Sequence, residues 1–141
     1  MLVVLGIVTA FALPAIGRIR AAAALQNARH AVESALSLAR ASAIQYGRPS
    51  MVRFDAATER VWVEVDTTVA GTGGAVDTVR VFDLAGELQV DLESDRTALC
   101  FDGRGIGTTG TGCPAAGAVI TLEREGRIGI VRVSPTGRVL P

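Results

Sequence analysis

The sequence predicts an α+β protein in which one long N-terminal helix packs on antiparallel β-sheets. Three observations carry this prediction. Apolar residues recur at helical spacing through the first third of the chain, the period changes to two after Pro49, and turn-forming residues separate the later apolar runs. A length of 141 residues suits one core with an appendage rather than two independent cores.

The helix comes first. From Met1 to Gly17 the chain carries no charge, and the run ends at Arg18 and Arg20. It is slightly shorter than the roughly 20 apolar residues of a full span, and it lacks a basic segment ahead of its apolar core. It therefore reads as an anchor rather than a disposable secretory leader. Beyond Arg20, Leu25, Ala28, Val32, Leu36, Ala39 and Ala43 continue the three-to-four spacing of a buried stripe. Alanine favours the helix throughout, and Gly47 followed by Pro49 ends it. Pro14 removes one backbone donor and is expected to kink the helix without stopping it. Through Tyr46, such a helix would be about 70 Å long, far more than a small head requires. The chain thus divides into an apolar helix half over residues 1–24 and a head over 25–141. The head combines an amphipathic helix half, 25–47, with a β-rich region, 49–141.

The expected strands are Met51 to Phe54, Val61 to Val65, Val79 to Phe82, Leu88 to Leu92, Ala98 to Phe101, Val119 to Leu122, Ile128 to Val133 and Val139 to Leu140. Asp55 to Glu59, Ala70 to Gly74, Ala85-Gly86, Gly103 to Gly117, Glu125-Gly126 and Pro135 to Gly137 supply the turns between them, with Gly103 to Gly112 as the longest irregular loop. No second helix is expected.

The charges argue against a bulk nucleic-acid binder, since 14 basic residues balance 14 acidic ones. Their distribution is uneven: residues 49–96 are acidic, whereas both flanking segments are basic. Arg104, Arg124, Arg127, Arg132 and Arg138 form a modest phosphate-binding candidate. Arg127 and Arg132 are five apart, however, so a regular strand points them to opposite faces. His30 is the single histidine, which leaves no base for a Ser-His-Asp triad and no multi-histidine metal site. Asp91, Glu93 and Asp95 alternate with apolar residues and read as the solvent face of a strand before they read as a Ca²⁺ site. Gly105, Gly107 and Gly110 satisfy a dinucleotide-binding spacing, but no helix follows to meet a pyrophosphate. Neither catalysis nor a cofactor is expected.

Cys100 and Cys113 bracket a loop rich in Gly and Thr and match no four-ligand zinc spacing. They read as a disulfide, with two buried free thiols as the alternative.

The opening MLVVLGIVTAFALP closely resembles the N-terminal helix of type IV pilins and type II secretion pseudopilins. The likeness sharpens to the minor-subunit family of GspH and FimT. It rests on LSLARASAIQYGRP (Leu36 to Pro49), an FDGRG turn (Phe101 to Gly105) and a closing V-S-x-x-G-R (Val133 to Arg138). The resemblance implies a pilin-like fold and a single-pass protein of the bacterial inner membrane with its head in the periplasm. It also implies assembly with other pilin or pseudopilin subunits through Leu2, Val3, Val4, Leu5, Ile7, Val8, Phe11, Leu13, Pro14 and Ile16. The methylated Phe, the helix Glu and the basic leader cut by prepilin peptidase would then lie upstream of Met1. Some FimT-like members bind DNA through a C-terminal G-R-x-R. Here the second Arg is replaced by Leu140, which ranks DNA as a partner below assembly; contacts through Arg104, Arg127, Arg132 and Arg138 stay open.

Overall fold

The computed structural model describes residues 2–67, 75–110, 112–113 and 116–141, and for residues 2–16 the backbone alone. The first helix, α1, runs unbroken over Leu2–Tyr46, so Pro14 does not end it. It stops in a double hydrogen-bonded C-terminal cap. Gly47 takes a left-handed φ of 60°, its N–H donates to Ile44 O at 3.3 Å, and the Arg48 N–H donates to Ala43 O at 3.1 Å.

Two antiparallel sheets receive this helix. The first has the order β3-β2-β1-β5-β6, built from β1 (Ser50–Asp55), β2 (Arg60–Asp66), β3 (Val76–Asp83), β5 (Ala98–Phe101) and β6 (Gly107–Thr108). The second has the order β4-β7-β8-β9, from β4 (Asp91–Ser94), β7 (Ala118–Arg124), β8 (Arg127–Val133) and β9 (Val139–Leu140). Alternation decides what each strand buries. Val52, Phe54, Val61 and Val63 of the first sheet join Ile120, Leu122, Val131 and Val133 of the second in one core. The helix contributes Ala24, Ala28, Val32, Ala35, Leu36, Ala39 and Ala43, mostly small side chains that let the sheets approach its backbone closely. Ser50 Oγ seals that contact by donating to Ala39 O at 2.6 Å. Burial of a single large residue such as Leu122 contributes about 1.5–3 kcal/mol.

One strand expectation fails in an instructive way. Instead of a strand over Leu88 to Leu92, the chain forms a second helix, α2 (Leu84–Leu88), and then β4. Asp83 caps the helix, its Oδ1 accepting from the Gly86 N–H at 2.8 Å, and Gln89 closes it at φ 53°. The apolar alternation of Leu88, Val90 and Leu92 mimics a strand. The Leu84 and Leu88 pair, four apart, carries the helical signal. The expected turn region Gly103 to Gly117 also contains order, since β6 pairs with β5 and Gly110 bridges Cys113.

Candidate functional site

Three features of the molecule could serve function: the uncharged first half of the helix, the loop clipped by the cysteines, and the junction where the helix meets the two sheets. The backbone of Leu2 to Ile16 lies in α1, while the side chains of Leu2, Val3, Val4, Leu5, Ile7, Val8, Phe11, Leu13, Pro14 and Ile16 lie outside the described residues. Among the described residues no helix is long and apolar enough to cross a membrane. Among the helix residues whose side chains are described, Ala21 is the first that is buried, at 1% exposure, whereas Arg18, Ile19 and Arg20 are exposed.

Cys100 and Cys113 form a disulfide with a Cα–Cα distance of 5.9 Å. Cys113 is fully buried, and the bond ties it to β5, beside the Gly110–Cys113 bridge that follows β6.

The junction is built from segments far apart in the chain. Arg40, on α1, donates through Nη2 to the carbonyl of Gly137 and lays its guanidinium over the Phe101 ring, 5.5 Å from the centroid. Gly137 sits at φ 85° in the turn between β8 and β9, where Gly137 N–H donates to Ser134 O at 2.8 Å. A Cβ there would lie 2.4 Å from Phe101 Cε1. Only glycine satisfies both the conformation and the space. The Asp102 turn closes the other side: its carboxylate accepts the Ile106 N–H at 3.0 Å and the Arg104 N–H at 2.9 Å, and pairs with the Arg104 guanidinium at 3.0 Å. The backbone donor of Ile106, helped by Arg104, holds the Asp102 carboxyl below the usual carboxylate range. This turn presses on the helix end, a Cβ at Gly103 falling 2.8 Å from Gly47 O.

These contacts also explain the glycine spacing of the loop. Gly105 packs on Arg40 and Ile44, and a Cβ at Gly107 would lie 2.5 Å from Pro135 O, so both glycines serve close packing. The carboxylate row is divided as well. Asp91 and Glu93 face solvent on β4, while Asp95 Oδ1 accepts the Val119 N–H at 2.8 Å. Among the described residues no group of three or more His, Cys, Asp or Glu is placed to hold a metal.

The four arginines considered for DNA do not share one surface. Arg104 is paired with Asp102 beside the junction, and Arg138 lines an open groove of about 480 Å³ there with Arg40, Gly105, Ile106 and Thr136. Arg132 projects from the outer face of β8, opposite Val119 and Leu140. Arg127 lies at the other end of that strand, facing Ala22, Gln26 and Arg29 of α1. Arg127 and Arg132 therefore point to opposite faces, as their spacing requires. Arg40 was missed as a site residue: it lies beside the apolar stripe, and nothing in its spacing announces the carbonyl and ring it meets.

The helix end, the FDGRG turn and the V-S-x-x-G-R turn thus converge on Arg40, three segments that together resemble one family. A family model described as type II transport protein GspH matches residues 28–137. The chain belongs to the GspH family. Two crystal structures of the type IV minor pilin FimU from Pseudomonas aeruginosa share the architecture. One aligns with a TM-score of 0.58 at 15% identity over 88% of this chain and 89% of that one. The other gives 0.57 at 15% identity over 82% and 90%. At this identity the likeness establishes the pilin fold, one helix on antiparallel sheets. No curated protein matches the chain. The matched region of this GspH-family chain starts at Ala28, inside the helix, so it covers the junction and most of the head.

Proposed function

We propose that this GspH-family protein is a minor pseudopilin or minor pilin that acts by assembly rather than catalysis. It is anchored in the inner membrane by the apolar half of α1 and processed by prepilin peptidase. It then primes or joins a type II secretion pseudopilus or a type IV pilus. The observation that carries this reading is the helix itself. Ala21 is buried against the head directly after the exposed Arg18, Ile19 and Arg20, and the uncharged run that precedes them in sequence favours a non-aqueous environment. Lipid supplies that environment before assembly, and the helices of neighbouring subunits supply it afterwards.

Complementation tests it. In a strain deleted for the gene, the precursor that carries the leader ahead of this sequence is expected to restore secretion or piliation, and the same precursor with Ile7→Arg is expected to fail although its head still folds. Full rescue by Ile7→Arg would refute a role for the helix in membrane or filament.

DNA binding is a second reading, favoured by one observation: Arg138, whose guanidinium has no partner among the described residues, shares an open groove with Arg40. The contact would be weak, because residues 49–96 are acidic and the four arginines are dispersed. Two or three neutralised phosphates give a log-log salt slope of about −2 to −3, and Arg138→Ala removes about one unit of it. Binding with no salt dependence, or unaffected by Arg138→Ala, would remove this reading.

A further inference from the structure

We infer that the base of the head is a membrane-docking foot, in which Arg18, Arg20 and Arg127 bind the headgroups of anionic phospholipids while Ile19 and Ile128 enter the interface. This rests on the anchor reading above. The distances are restrictive. The uncharged run ends at Gly17 and the helix is already buried against the head at Ala21, which is about 6 Å of helical rise. The polar layer on each side of a bilayer is itself about 5–8 Å thick. An anchored helix therefore leaves the head's lower rim no room to stand clear of the headgroups, unless the apolar run is lifted out of the hydrocarbon.

That rim has the chemistry such a layer selects. Arg18 and Arg20 are exposed, and Ile19 between them is 69% exposed. The β7–β8 hairpin reaches the same level, since Arg127 and Ile128 line an open groove with Ala22 and Gln26, Arg127 from the helix side of β8 and Ile128 from its outer face at the strand end. Its two-residue turn, Glu125-Gly126, has both φ angles positive at 51° and 73°, which fits a tight reversal that presents the strand ends rigidly. Arg127 has no hydrogen-bond or ion-pair partner among the described residues, and Ile128 is 62% exposed. Exposed isoleucines flanked by unpaired arginines are poor choices for a face turned to water. At a membrane surface they gain both apolar burial and attraction to anionic lipid. The opposing charges are few. Glu33 is held by Arg29 at 3.0 Å and by His30 at 3.3 Å, Glu125 lies near Arg124 at 4.0 Å, and Glu123 lies on the outer face of β7, where it pairs in register with Asp91 and Ile128.

The test uses the full chain reconstituted into phosphatidylcholine vesicles with or without phosphatidylglycerol. Two variants, Ile128→Trp and the same with Arg127→Gln, are made in a Trp62→Phe background. Brominated phospholipids quench a tryptophan that reaches the interface, and the unmodified chain, with Trp62 on the outer face of the first sheet, is the unquenched reference. Resistance to alkaline extraction is measured first. A chain that is extracted refutes the anchor reading, and the foot with it. For a chain that resists extraction, quenching of the tryptophan introduced by Ile128→Trp should be strong with phosphatidylglycerol. The ratio of docked to lifted heads should drop about fivefold with Arg127→Gln. The dependence on anionic lipid should also fade in about 1 M salt, where the screening length is about 3 Å. The salt arm needs no change at Arg127. A chain that stays inserted while the introduced tryptophan remains as unquenched as Trp62 would overturn the foot and leave the anchor standing.

Discussion

Replacing Gly137 by alanine should be among the most damaging single-methyl changes in the head, and the structure allows its cost to be divided. Two effects add. The φ of 85° costs an L-residue about 1–2 kcal/mol. The new Cβ also lands 2.4 Å from Phe101 Cε1, and Phe101 is fully buried beneath Arg40, so the ring has nowhere to swing. Forced overpacking of this kind costs about 1–3 kcal/mol, for a total of about 2–5 kcal/mol. Gly126→Ala is the control. Gly126 has a similar φ of 73°, but a Cβ there meets nothing within 4 Å, so it should show the conformational cost alone. Urea denaturation of the purified chain, followed by Trp62 fluorescence, reads both. With a urea m-value of about 1–3 kcal/mol/M, Gly137→Ala should move the midpoint down by roughly 1–3 M, clearly further than Gly126→Ala. Equal midpoints for the two variants would show that the Phe101 contact is not tight, and the account of the junction would fall with it.

Three further outcomes are expected. Intact mass under non-reducing conditions should show Cys100 joined to Cys113, and replacing both by serine should cost about 3 kcal/mol in the same urea experiment; two free thiols on the folded protein would contradict the pairing. Arg40→Met keeps the apolar stem over Phe101 but leaves Gly137 O without its donor, which should cost about 1–3 kcal/mol; a variant as stable as the parent would mean the hydrogen bond is made equally well by water. Asp102 has its folded pKa depressed, so its contribution is present above the unfolded value of about 3.9 and is lost as pH falls through the lower folded one. Asp102→Asn should accordingly flatten the acid limb of a stability-against-pH curve below pH about 4, and an unchanged limb would exclude this turn as a source of acid sensitivity.

The uncharged run, the alanine stripe and the Gly47 stop were legible because they are local: helix period, propensity and a left-handed cap each depend on neighbours within a few positions. Most strand positions, though not β4 or β6, were legible for the same reason, and so was the separation of Arg127 from Arg132, which follows from the two-residue period alone. Helix α2 was missed because Leu88, Val90 and Leu92 satisfy alternation, and the Asp83 cap that tips the balance is a side-chain contact that periodicity does not register. The cysteine pairing could be proposed from spacing, but that it ties Cys113 to β5 beside β6 depended on where the chain returned. Arg40 is the clearest case of what only the tertiary structure decided. Its partners lie at Phe101 and Gly137, and no local pattern encodes a carbonyl delivered across 97 positions of chain. The level of the head above the apolar run was likewise hidden, because the burial of Ala21 and the approach of the β7–β8 hairpin to Ala22 and Gln26 are properties of packing.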